Sequence, residues 1–141
     1  MARIMAIDYG LKRTGIAVTD PLQIIASALT TIESAKIFKF LDEFLNKEKV
    51  ELILIGDPRN LDDSPTSLST HVQRIIGHMQ KKYPAISVKA IDERYSSVIA
   101  SRAMVEMGMK KSKRREKGVV DQVAATMILQ EYLTGLQNEA P

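Results

Sequence analysis

Arg3-Ile-Met-Ala-Ile-Asp8-Tyr-Gly10-Leu-Lys12-Arg13-Thr-Gly15-Ile-Ala-Val-Thr-Asp20 joins an apolar run ending on a carboxylate, a basic turn containing glycine, and a second apolar run. Residues 4–7 are too uniformly apolar for a half-exposed strand and too few for a helix, so they predict a central strand buried on both faces. Asp8 then stands at the carboxyl end of that strand, where an α/β sheet opens a crevice for side chains above a rigid base. Gly10 is expected to supply a positive φ to the turn, and residues 14–19, rich in β-branched side chains, to return as the paired strand. Lys12 and Arg13 fall at the tip. A carboxylate beside two cations can hold a divalent metal while the cations meet a phosphate ester. The plainer reading is a surface Asp in a turn with two solvated bases.

Working outward, Asp20-Pro21 marks a turn, and residues 24–31 read as a third strand, which makes an antiparallel meander. The period then changes: Ile37, Leu41, Phe44 and Leu45 recur at helical spacing, with Ser34 as the expected N-cap. Residues 52–55 form another continuous apolar run, stopped by Gly56-Asp57-Pro58, and read as a buried parallel strand. A helix is expected from about Ser64-Pro65, with Leu68, Val72, Ile75, Ile76 and Met79 on one face and Tyr83-Pro84 at its end. Residues 86–91 alternate as an edge strand does and lead into Asp92-Glu93-Arg94. A further helix is expected from Ser96 or Ser97 to Met107, and a last one over about 119–136. The order βββ-α-β-α-β-α-α, with no repeat or inner linker, predicts a single α/β domain over residues 1–141. Its sheet would be five-stranded and mixed, antiparallel in the first three strands, with helices on its faces.

A chain of 141 residues is long enough to bury roughly 70% of its unfolded surface around one core. With no cysteine, a disulfide framework, thiolate zinc sites and a cysteine nucleophile are excluded. The first residues do not resemble a signal peptide, and no apolar run approaches the ~20 residues of a membrane span, so a soluble cytoplasmic protein with no membrane partner is expected. Net charge is only +3, but it is unevenly spread: Lys110, Lys111, Lys113, Arg114, Arg115 and Lys117 surround the single acid Glu116. That block signals contact with a polyanion, the alternative being a solvated charge run.

Strand ends of one sheet gather their side chains at one edge, so Asp8, Asp57, Asp92 and Glu93 are candidates to share a crevice. Asp121 joins them from the last helix. It lies on one stripe with Ala125, Ile128 and Tyr132, the face expected to pack on the sheet, and a carboxylate there is costly unless paired or bound to a cation. Its ordinary alternative is a first-turn Asp favoured by the helix dipole. Ala124 and Ala125 permit the close approach that would bring Asp121 near Asp8. Converging carboxylates repel one another unless a hard cation sits between them, and Mg²⁺ or Mn²⁺ takes such ligands. In phosphodiester hydrolysis metal ions generate the hydroxide and stabilise the leaving oxygen, so no nucleophilic side chain is required. His71 and His78, seven apart on one helix face, are expected to be surface residues.

Four motifs in this order and spacing resemble one family. They are the residues from Asp8 to Asp20, Ile55-Gly56-Asp57-Pro58, Asp92-Glu93-Arg94 followed by Ser96-Ser97, and Lys113-Arg114-Arg115 leading to Val119-Val120-Asp121-Gln-Val-Ala124-Ala125. Together they are similar to the YqgF-type Holliday-junction-resolvase-like family, the bacterial pre-16S rRNA nucleases, over about residues 3–134. The resemblance implies an RNase H-like fold, Mg²⁺- or Mn²⁺-dependent cleavage of nucleic acid phosphodiesters, and maturation of the 5′ end of 16S rRNA. It also implies that Asp8, Glu93 and Asp121 are the acidic triad that binds metal and catalyses. Asp57 stands where the family more often has leucine, and Ser96-Ser97 replace the commoner pair of threonines. Lys12, Arg13, Arg94, Lys110, Lys111, Lys113, Arg114, Arg115 and Lys117 are the expected contacts to nucleic acid.

Three other functions fit parts of the pattern. An actin-like ATPase or sugar kinase opens with a similar Asp-x-Gly hairpin, but holds its nucleotide between two lobes each about the size of this chain. A non-catalytic nucleic-acid-binding factor in transcription or ribosome assembly would not need all three acids. A four-way DNA junction is a second substrate alongside structured RNA; resolving it takes a homodimer, whereas RNA processing is open to a monomer.

Overall fold

The computed structural model describes residues 2–57, 67–92 and 117–139, with side chains at 68–91 and 120–135 in the last two segments. The N-terminal apolar run forms β1 (Arg3–Tyr9) and returns as β2 (Arg13–Thr19), followed by β3 (Ala26–Glu33) and a single 3-10 turn at Ser34–Lys36. Next come α1 (Ile37–Lys47), β4 (Val50–Asp57), α2 (Ser67–Lys82), β5 (Ser87–Asp92) and α3 (Lys117–Glu139). The strands form one sheet in the order β3-β2-β1-β4-β5. β2 pairs antiparallel with β1 and with β3, while β4 pairs parallel with β1 and with β5. The mixed five-stranded sheet is therefore the one the sequence predicts, with β1 in the middle and β5 on an edge. The expected helix over 96–107 and the expected start at Ser64-Pro65 lie outside the described residues.

Alternation along the strands divides the core in two. Met5, Ile7, Ile16, Val18, Ile53, Ile55 and Val88 face α1 and α2, where they meet Ile37, Leu41, Val72, Ile76 and Met79. Ile4, Ala6, Ala17, Leu52 and Leu54 face the other way and are covered by Ala125, Ile128, Leu129 and Leu133 of α3. β1 is buried on both sides, with Met5, Ala6 and Ile7 fully inaccessible. Each of the large aliphatic side chains so buried contributes about 1.5–3 kcal/mol, which makes the register of β1 hard to shift.

Three local expectations are corrected. Ser34 does not cap a helix: the first turn is 3-10, α1 starts at Ile37, and neither start has a side-chain cap. Its buried hydroxyl instead hydrogen-bonds the Thr14 hydroxyl at 2.7 Å and donates to the carbonyl of Gly10, and its N–H donates to the carbonyl of Lys12 at 3.0 Å. The β1–β2 turn is thus tied down from β3's end. Gly10 has no positive φ, and it is glycine for a steric reason, because a Cβ there would lie 2.6 Å from the carbonyl oxygen of Arg13. The third strand spans 26–33 rather than 24–31. Ile24 and Ile25 belong to a loop in which Gln23 takes φ 58° and the Asp20 carboxylate accepts the N–H groups of Ile24 and Ile25, each at 2.8 Å.

Candidate active site

Asp8 follows Ile4 and Ala6 at period two, so it occupies the α3 face of the sheet at the carboxyl end of β1. Its Cα partner on β2 is Gly15. A Cβ built on Gly15 would meet the Asp121 carbonyl oxygen at 2.1 Å, its carbon at 2.3 Å and its Cβ at 2.9 Å. No side chain fits there. The main chain of α3 therefore rests on β2 at the residue paired with Asp8, and the two carboxylates are brought to the same end of the same face. Ala124 and Ala125, both buried, complete the close approach that the sequence predicts. Asp121 lies beyond the first turn of α3, which contains no acid, so the first-turn dipole explanation for it does not hold.

Arg13 lies on the same face as Gly15, two residues away. Its Nε donates to Asp121 Oδ2 at 3.1 Å, with the guanidinium side chain 41% exposed and the carboxylate 21%. The residue expected to meet a phosphate is thus engaged with one of the expected metal ligands. Lys12 is exposed in the turn beside it, where the Ser34 contacts fix the backbone.

Asp57 departs from the expected crevice. Counting from Ile53 and Ile55 puts it on the α1–α2 face, where it is 4% exposed. The β1–β4 register pairs Ile7 with Ile55, so Gly56 rather than Asp57 continues beside Asp8. Asp92 is the Cα partner of Asp57 across β4 and β5. Glu93, Arg94, Lys110, Lys111, Lys113, Arg114 and Arg115 lie outside the described residues, as does the side chain of Lys117. His71 and His78 are exposed, as expected, and the ring of His78 meets Phe38 edge-on at 6.2 Å between centroids.

Two residues to which sequence reasoning gave no part in the site shape it. Gly15 is the seat of Asp121, and an isolated glycine within a strand pattern is the signal that marks such a backbone approach. Ser34, 24 residues from Gly10, holds the turn, and nothing in its local sequence separates this role from capping.

In donor chemistry Asp8 and Asp121 could contribute to holding a hard divalent cation: both offer carboxylate oxygens, and the glycine seat sets them at the same end of one face. The Arg13 contact takes up Oδ2 of Asp121, and a carboxylate has further lone pairs.

The sequence profile of the RuvX family, described as Holliday junction resolvase, matches residues 2–135. A protein of Christiangramia forsetii named "Putative pre-16S rRNA nuclease" is 47% identical over 133 residues, covering 94% of this chain and 98% of its own. One of the same name from Flavobacterium psychrophilum is 44% identical over 134 residues, covering 95% and 98%. Among solved structures, Thermus thermophilus RuvC in complex with Holliday junction substrate superposes with a TM-score of 0.53 at 16% identity, covering 97% of this chain and 96% of that one. A second Thermus thermophilus RuvC structure gives 0.51 at 11% identity, covering 96% of each. The fold is that of RuvC, RNase H-like. Among the described residues no helix is long and apolar enough to cross a membrane.

Proposed function

This chain belongs to the RuvX family of Holliday junction resolvases, and on that premise we propose that it is a divalent-metal-dependent nuclease that trims the 5′ end of precursor 16S rRNA in the cytoplasm. The observation that carries the reading is the seat of Asp121 on Gly15, the strand partner of Asp8. Arg13 offsets the charge of Asp121 alone, and a divalent cation held by the two acids would offset both. We assign metal binding to Asp8, Asp121 and Glu93. Glu93, which lies outside the described residues, is included because the Asp92-Glu93-Arg94 motif matches the third acid of the family's triad.

Asp8, Asp121 and Glu93 would hold Mg²⁺ or Mn²⁺, which when bound would lower the pKa of an attacking water and offset charge on the leaving oxygen. The chain's own residues supply orientation. The main chains of Asp8 and Asp121 are fixed by a buried strand and by a main-chain contact, which holds the two acids at one end of the α3 face. We assign phosphate contact beside them to Lys12, which is exposed in a tethered turn. Arg94 and the bases at 110, 111, 113, 114, 115 and 117 extend that hold along the backbone of a structured RNA, contacts that position a substrate without reading its sequence.

Purified protein with Mg²⁺ or Mn²⁺ tests the proposal on 5′-extended 16S precursor RNA and on a four-way DNA junction in parallel. Cleavage of the RNA is expected, abolished by chelation and by Asp8→Asn, with the apo variant as stable as the parent because a repelling charge has been removed. Cleavage of the junction alone would make the substrate DNA. If neither substrate is cut, and RNA is bound equally by the parent and Asp8→Asn, the chain is a binding factor rather than an enzyme.

A further inference from the structure

The contact between Arg13 and Asp121 has a role that phosphate binding does not explain. The main chain of Asp121 already sits on Gly15 with no room for a Cβ, so Arg13 is not needed to bring α3 down onto the sheet. Arg13 is likewise anchored through its backbone, in β2 opposite Glu33 of β3, while its side chain is 41% exposed. It touches Asp121 through Nε on Oδ2 at 3.1 Å. A guanidinium anchored at its base, approaching from the solvent side and held at its end by that contact, can leave without disturbing the sheet.

We propose that Arg13 is the resident counter-cation of Asp121, which offsets that carboxylate before metal arrives and competes with an incoming divalent cation for it. The proposal rests on the metal-dependent reading above. Its physical basis is charge: a fixed positive group beside a carboxylate lowers the affinity of that carboxylate for a second cation, and removing one side of an exposed pair frees the other. Arg13 thereby sets the metal concentration at which the site fills. Since Lys36 pairs with Glu33 at 3.5 Å, the acid across the strand from Arg13 has its own cation and offers less competition for the guanidinium.

The test measures Mn²⁺ binding alone, by electron paramagnetic resonance of free Mn²⁺, on the full chain with no substrate. Arg13→Gln should bind Mn²⁺ about three- to tenfold more tightly than the parent, on the order of 0.7–1.4 kcal/mol. Arg13→Lys, which keeps the charge, should stay near the parent. Asp121→Asn should weaken binding by about tenfold or more. Should Arg13→Gln lose its fold, Arg13→Met retains the aliphatic stem and carries the same expectation. Unchanged or weaker Mn²⁺ binding in the uncharged variant, with Asp121→Asn still impaired, overturns the inference and leaves the metal site standing. An Arg13→Lys affinity that rises with Arg13→Gln also overturns it, because charge would then not be the cause. An Asp121→Asn protein that binds Mn²⁺ like the parent overturns the metal reading and the inference together.

Discussion

Gly15→Ala is the sharpest perturbation of the site, because it adds one methyl group without touching any charged residue. The new Cβ would stand 2.1 Å from the Asp121 carbonyl oxygen, whereas ordinary contact begins at 3.4 Å, so α3 must retreat by about 1.3 Å at that point. Neither neighbour can give cheaply, since one is the main chain of a helix and the other a strand buried between β1 and β3. Overpacking of this kind costs about 1–3 kcal/mol. A misplacement of about 1 Å between catalytic groups lowers rates by on the order of 100-fold. The substitution should therefore reduce cleavage of precursor RNA far more than it reduces folded protein at 25 °C, with stability followed by urea denaturation. Gly77→Ala is the control: nothing lies within 4 Å of its Cβ position in α2, so the alanine should stabilise by about 0.4–1 kcal/mol through helix propensity and leave cleavage unchanged. Gly15→Ala protein with full activity and a stability change under about 0.5 kcal/mol would show that α3 does not rest on this glycine, and the route to the Asp8–Asp121 site would be lost.

Two further outcomes follow from charge. Replacing Lys113, Arg114 and Arg115 together with alanine should weaken RNA binding across all sequences and flatten the dependence of log K on log salt by about two to three units if each base meets a phosphate; an unchanged slope would return the block to a solvated charge run. The Asp20 carboxyl is held below its ordinary 3.8 chiefly by the Ile25 amide, against desolvation, and further by the Ile24 and Leu22 amides. A lowered folded-state pKa contributes stability that is present above the unfolded value and lost as pH falls through the folded one, so the stability gap between the parent and Asp20→Asn should narrow from pH 7 to pH 3. Urea denaturation at the two pH values checks this, and an equal gap at both would rule out the loop hydrogen bonds as the cause.

The elements most legible in the sequence were those whose pattern has a single physical solution. Residues 4–7 and 52–55 could only be strands covered on both faces, and the Asp121 stripe could only pack on a sheet, so the central strands and the α3 contact were readable before any coordinates. Turn chemistry was less so. Gly10 looked like a positive-φ residue, but crowding by the Arg13 carbonyl accounts for it, and local sequence does not distinguish these two demands. Asp57 was misplaced because clustering at strand ends was counted without parity: Asp8 and Asp57 end neighbouring parallel strands, but the β1–β4 register sets them on opposite faces. The Arg13–Asp121 pair spans 108 residues, and no periodicity could select that partner from the other acids.

The side chains between α3 and the sheet show why the chemistry sits at one end of this interface. Leu133, Leu129 and Ile128 lie in the same cluster as Ile4, Leu52 and Leu54, large residues that hold helix and sheet apart. Ala125 and Ala124 follow on the helix and Ala6 and Ala17 on the strands, and then Gly15 lies directly under Asp121. Side-chain size thus falls towards the carboxyl end of β1, and interaxial spacing follows the size of the side chains at a contact. The helix comes down onto the sheet where Asp8 ends its strand, so the gradient that fills the core also brings a carboxylate from residue 121 to one at residue 8. The main chain that carries Asp121 is therefore held by packing, and its carboxylate is paired with Arg13.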